Sequence, residues 1–233
     1  MASQLSLALS LRDEATFDNF LTRPDSVRAQ AVQVLQGKLY SGQHLVYLWG
    51  APQAGVSHVL QAACHYYLEH QRGAQYLPLE EVISFEPESL LVGLDQLPLV
   101  CLEDIDRIQG KPSWEKAIFT LYNSLRDKGG LMLVSADRPP RELQLGLADL
   151  KSRWSSGLTY HFRPYSDEDK LDILRFRASR LGLELSEDVA LFILSRGSRN
   201  VDQLIGYLKL LDAESLRARR RITIPFVKKT FHW

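Results

Sequence analysis

The sequence predicts an α/β fold, a five-stranded parallel sheet covered on both faces by helices, followed by a small helical domain. Three observations carry this. Short apolar runs alternate with segments of helical periodicity through the first two-thirds of the chain, the order that right-handed strand–helix–strand crossovers require. The runs at 44–49 and 99–102 are continuous in their apolar character, as in strands buried on both faces. From Tyr165 onward, capped helical segments follow one another without a sheet-forming run. With 233 residues, 45% of them hydrophobic, the chain can bury one large core and a smaller appended one.

Residues 1–13 hold neither cap nor helical stripe and read as a flexible tail carrying Leu5-Ser6-Leu7-Ala8-Leu9. Asp25-Ser26 starts a helix that runs to Gly37. Residues 44–49 form the first strand, and residues 57–71 a helix with Val59, Leu60, Ala63, Tyr67 and Leu68 on one face, ended by Gly73. A second strand is expected at 75–79, a short helical patch at 90–94 and a third strand at 99–102. A strong helix over 114–128 turns Ala117, Ile118, Leu121, Tyr122 and Leu125 inward and ends at Gly129-Gly130. Strands four and five fall at 131–134 and 158–162. After a boundary near Arg163-Pro164, Ser166 with Asp169 three residues on marks a helix over 167–180. Further helices run from Ser186 to near Gly197 and over 201–217. An extended piece at 222–224 then leads into a last helix opened by Pro225. The domains are therefore 1–13, 14–164 and 165–233.

Lysine plus arginine and aspartate plus glutamate both number 28, so the global balance does not mark a dedicated nucleic-acid or membrane binder. Cys64 and Cys101 lie in apolar segments without metal or disulfide spacing, which fits a reducing cytoplasm. No charged segment leads into a long apolar run at the N-terminus, and no stretch is apolar over the roughly 20 residues a bilayer requires. The six histidines are scattered, so no metal beyond magnesium is inferred. Tyr66, Tyr67, Trp114 and Phe119 read as core.

Gly50-Ala51-Pro52-Gln53-Ala54-Gly55-Val56-Ser57, followed by His58, lies between a strand and a helix with the spacing of a Walker A loop. Glycines let the backbone wrap a phosphate, and N–H groups at a helix start meet its charge. Ser57 offers the hydroxyl for magnesium, but Val56 stands where the phosphate-contacting lysine belongs. A diphosphate held by backbone donors is expected, with little gain from a third phosphate and no autonomous turnover. A plain strand–turn–helix joint has the same outline. The third strand ends in Glu103-Asp104-Ile105-Asp106, where P-loop enzymes place the acid that holds magnesium and its neighbour that orients water. Glu103 would take the first role and Asp104 the second; a solvated strand end is the plainer reading.

Further stretches resemble the DnaA-related AAA+ family, and within it the Hda type of initiation regulator. Thr16-Phe17-Asp18-Asn19-Phe20-Leu21 resembles the family's adenine-packing motif, and Ser135-Ala136-Asp137-Arg138-Pro139-Pro140 its sensor 1 segment, with Asp137 at the polar position. Leu150-Lys151-Ser152-Arg153 resembles the arginine-finger segment, Ile222-Thr223-Ile224-Pro225-Phe226-Val227 the end of the lid, and Gln4-Leu5-Ser6-Leu7-Ala8-Leu9 the sliding-clamp-binding motif. The sequence ends where DnaA would continue into its DNA-binding domain. The resemblance implies an AAA+ P-loop fold with a helical lid and ADP as the bound nucleotide, with magnesium on Ser57 and Glu103. It also implies a cytoplasmic inhibitor of replication initiation. Gln4, Leu5, Leu7 and Leu9 would dock on the β subunit clamp of DNA polymerase III loaded on DNA, and Arg153 would stimulate hydrolysis of ATP bound to DnaA. A homodimer is compatible with it. Two positions depart from the family: Asp202 falls at the sensor 2 arginine, where only Arg196 or Arg199 lies near to substitute, and Asp149 replaces a second arginine of the finger segment. The alternative is an ATPase of the DnaA or helicase-loader kind acting on its own ATP. The basic run Arg217, Arg219, Arg220, Arg221, Lys228 and Lys229 suits either contact with DNA or a solvated helix end.

Overall fold

A computed structural model describes residues 11–37 and 42–233. The proposed clamp motif at 4–9 lies outside them. The chain divides into two compact units, Met1–Arg163 and Pro164–Trp233.

The first unit is built on β1 (Leu45–Gly50), β2 (Ala74–Pro78), β3 (Leu99–Glu103), β4 (Leu131–Ala136) and β5 (Leu158–Phe162). They form one parallel sheet in the order β2-β3-β4-β1-β5. The continuous apolar runs have their reason here: β3 and β4 are buried along their whole length, because neighbours pair on both edges and helices cover both faces. β5, paired with β1 alone, alternates between half-buried and exposed before ending on buried Phe162.

Strand alternation divides the core into two layers. One joins Tyr47, Val100, Leu102, Met132 and Val134 to α5 (Pro112–Asp127) and α6 (Ala148–Ser156), with the short helices α3 (Leu79–Val82) and α4 (Pro87–Leu91) at its end. The other joins Val46, Leu48, Cys101, Leu133 and Phe162 to α1 (Val27–Leu35) and α2 (Val56–Glu69). Ser26 caps α1 by accepting the Ala29 N–H.

Several details differ from the sequence expectation. Leu68 is exposed, because α2 buries the stripe Val59, Leu60, Ala63 and Tyr67 and Leu68 lies beyond its edge. The helix ends at Glu69, four residues before Gly73, through a turn with Gln71 at φ 56°. The patch expected at 90–94 is split into α4 and a 3-10 turn, Leu94–Gln96. Leu11 packs against the second layer, and the Arg12 N–H donates to Gln61 at 2.9 Å, so residues assigned to the tail lie on α2.

The second unit holds α7 (Asp167–Arg180), α8 (Glu187–Arg196), α9 (Val201–Ala218) and α10 (Ile224–Phe231) around Leu174, Ile193, Leu204, Leu208, Leu211 and Val227. Ser166 and Asp169 form the reciprocal capping box that their spacing predicts. Ile224, expected in an extended piece, already belongs to α10, because Thr223 caps that helix and draws Ile224 into its first turn.

Candidate nucleotide site and arginine edge

The loop after β1 turns because two positions adopt left-handed backbone, Gln53 at φ 68° and Gly55 at φ 88°. Gly50 admits no side chain: a Cβ there would lie 2.4 Å from the Phe162 carbonyl oxygen on β5. Ala51, Pro52, Gln53 and Ser57 are exposed, while Ala54 is buried and anchors the loop from below. Arg28 of α1 donates to the Ala54 carbonyl at 3.2 Å and to the Arg163 carbonyl, with its guanidinium 5.3 Å from the Phe162 ring centre. No side chain caps the start of α2 at Gly55, so its first-turn N–H groups suit an anionic ligand. Val56, at the missing lysine's position, packs against the core layer.

Phe20 is buried between His58, at 5.1 Å between ring centres, and Phe162, at 6.4 Å. His58 also bonds the Thr16 carbonyl at 2.8 Å, and Leu21 is half-buried. The N-terminal segment and α2 thus lie together beside the loop.

Glu103 and Asp104 share the end of β3 but face different surroundings. Glu103 is buried and accepts a hydrogen bond from the Tyr76 hydroxyl of β2. Gln61 of α2 donates to the same phenol at 3.2 Å, which completes a chain Arg12–Gln61–Tyr76–Glu103. Burial first, then the Glu103 charge, holds the Tyr76 phenol far above its usual range. Asp104 adopts left-handed backbone, φ 56° and ψ 54°, fixed by its N–H donating to Ser135 Oγ of β4 at 3.0 Å. Burial, reinforced by Glu103 and Asp106, pushes its carboxyl up to about 6. Asp137 follows β4 and is paired with Arg138, whose hydrogen bond holds its carboxyl below the usual range. Tyr47 donates to the Arg138 carbonyl at 2.8 Å and ties this segment to β1.

The glycine loop, the acids after β3 and Asp137 after β4 therefore leave the C-terminal ends of three adjacent strands, where open parallel sheets bind ligands. The loop and its uncapped helix start fit a diphosphate. For magnesium, Ser57 is exposed and Glu103 has one partner in Tyr76; no group of three or more His, Cys, Asp or Glu with metal-site geometry occurs among the described residues.

Arg153 belongs to α6, away from these loops in sequence. Leu150 and Trp154, one turn apart, are fully buried and fix the helix on the sheet. Arg153 projects from the exposed face and forms no ion pair among the described residues, Asp149 included. Glu115, buried at the start of α5, accepts the Leu147 N–H at 2.8 Å and holds the residue before α6.

Arg28, Gln61, Tyr76 and Glu115 were not singled out from the sequence, and Ser135 was named only as part of the stretch that resembles sensor 1. The only signal for Gln61 is a polar residue inside the apolar stripe of α2; Tyr76 looks like an ordinary strand aromatic.

The family model for the bacterial DnaA ATPase domain matches residues 11–161, and that for the Hda lid domain matches 167–231. Domain III of the Thermotoga maritima replication initiation protein DnaA superposes with a TM-score of 0.74 at 21% identity, over 95% of this chain and 97% of that one. AMPPCP-bound DnaA from Aquifex aeolicus gives 0.73 at 21%, over 89% and 68%. The Thermotoga maritima RuvB Holliday junction branch migration motor gives 0.67 at 17%, over 94% and 71%. These strands, the phosphate-type loop and the helical second unit are an AAA+ fold with its lid, and the chain belongs to the bacterial DnaA ATPase domain family as an Hda-like member carrying an Hda lid domain.

Proposed function

We propose that this chain is a negative regulator of replication initiation that promotes hydrolysis of ATP bound to DnaA. The observation that carries the reading is Arg153: an exposed guanidinium without an ion-pair partner among the described residues, on a helix locked down by Leu150 and Trp154. A rigidly based, unpaired arginine is what one protein needs to reach the phosphates of another, where its planar fork stabilises charge on the transferring phosphoryl group. A surface arginine kept for solubility has no need of such a base.

The chain's own nucleotide is ADP, bound structurally. Backbone N–H groups at the start of α2 hold the phosphates, Phe20, Leu21 and His58 flank the base side, and Asp137 lies at the far strand end. Ser57 and Glu103 would hold a magnesium ion, which would supply positive charge against the phosphates. Val56 packed on the core leaves no cation for a γ-phosphate, which supports action in trans over turnover of bound ATP. The AMPPCP complexes of the related DnaA structures support nucleotide binding on this fold. Docking on the DNA-loaded β clamp through Gln4, Leu5, Leu7 and Leu9, in a cytoplasmic setting, completes the reading. No described helix is long and apolar enough to cross a membrane.

The test is hydrolysis of DnaA-bound ATP in the presence of clamp-loaded DNA. Arg153→Ala removes stimulation by about 1,000-fold or more if the guanidinium acts in trans, and Arg153→Lys recovers little of it. Leu7→Ala with Leu9→Ala loses stimulation only where the clamp is required. Full stimulation by Arg153→Ala would sink the proposal.

A further inference from the structure

The neutral global charge hides a segregation along the lid unit. All ten of its Asp and Glu residues lie between positions 167 and 214, whereas residues 215–233 carry Arg217, Arg219, Arg220, Arg221, Lys228 and Lys229 with no carboxylate among them. Residues 164–233 hold 13 Lys and Arg against 10 Asp and Glu, a net +3, and residues 1–163 hold 15 against 18, a net −3.

The structure makes this run a surface. α9 ends at Ala218, and Arg219 turns the chain through left-handed backbone at φ 51° and ψ 45°, its N–H bonding the Leu216 carbonyl and that of Arg220 the Ser215 carbonyl. Ile222 is buried immediately afterwards and Thr223 caps α10, so the basic turn is held at both ends. Arg219, Arg220 and Arg221 are all exposed, and neither they nor Lys229 form an ion pair among the described residues. Arg217 reaches Glu214 at 3.7 Å, a surface pair of little strength. α10 then returns along α9 through contacts of Phe231 and Trp233 with Tyr207. This puts Lys228 and Lys229 about 6–8 Å along α10 from its start at Ile224.

Helix electrostatics account for one cation at the end of α9, not for three consecutive arginines beyond it. Like charges packed on a reversing turn repel one another, and a polyanion is the partner that reverses this cost. Arginine in place of lysine favours phosphate oxygens, which its fork can grip in pairs. A membrane surface would need a cluster of apolar anchors beside the cations; Leu216 is exposed next to Arg217, but Phe231 and Trp233 are packed on Tyr207.

We infer that the turn Arg219–Arg220–Arg221, flanked by Arg217, Lys228 and Lys229, binds the phosphate backbone of duplex DNA without sequence preference. The inference is independent of Arg153 and of the nucleotide site. The experiment is fluorescence anisotropy of a labelled DNA duplex with the purified full chain, titrated over salt. The wild type should bind at low salt. Changing Arg219, Arg220 and Arg221 together to Ala should weaken binding by about 10-fold or more and lower the salt slope by about 3. The triple Lys variant should keep the slope, and unchanged thermal unfolding of both variants shows that the lid remains folded. No duplex binding by the wild type at low salt, or equal affinity and slope for the Ala variant, overturns the inference. So does loss of binding to phosphatidylglycerol vesicles in the Ala variant with DNA binding intact, because the turn would then serve a lipid surface.

Discussion

Asp104→Asn is the substitution whose outcome the geometry fixes most closely. The carboxyl titrates at about 6 in the folded chain against 3.8 ordinarily, because burial and the neighbouring Glu103 and Asp106 oppose its charge. The folded value is the raised one. Its contribution to stability is therefore fully present below 3.8 and is lost as pH climbs through about 6. The difference corresponds to about 3 kcal/mol with both states ionised, and water reaching this half-buried group reduces that to about 1–2 kcal/mol. Asparagine has nearly the same shape, carries no charge and tolerates the left-handed backbone seen here. The Ser135 bond to the backbone N–H does not depend on the side chain. Urea unfolding of both proteins across pH should show Asp104→Asn equal to the wild type near pH 4 and more stable by about 1–2 kcal/mol at pH 7–8. A variant less stable at pH 8, or a stability difference that does not vary with pH, would refute the burial argument for this carboxyl.

Two further outcomes follow from the same packing. Tyr76→Phe removes the phenol that donates to buried Glu103 and accepts from Gln61; a loss of about 1.5–3 kcal/mol in urea unfolding is expected, as for hydrogen bonds to charged groups. Trp154→Ala empties a fully buried site beside Tyr47 and should cost about 3–5 kcal/mol by the same measurement, while Arg153→Ala, one residue away and exposed, should leave unfolding nearly unchanged.

The fold was legible wherever a local signal agreed with burial. β5 and α7 have the bounds read from the sequence: turn residues bracket β5, and the Ser166–Asp169 capping box starts α7. Leu68 misled because periodicity defines a stripe but not its width. The glycine loop and the acids after β3 were visible as motifs, since spacing along the chain encodes them. Arg28 beneath Ala54, and Tyr76 on Glu103, were not visible: each pair joins residues 26 or 27 positions apart whose meeting depends on strand order, which no single segment contains.

β4 lies between β1 and β3, so the glycine loop and Glu103 never share a hydrogen-bonded edge. Two strand spacings, about 9–10 Å, separate the backbones that carry them. The gap across this cleft is thus dictated by main-chain ladders and is indifferent to which side chain occupies position 56. A family member can shed a charged contact there and still retain a berth of unchanged breadth.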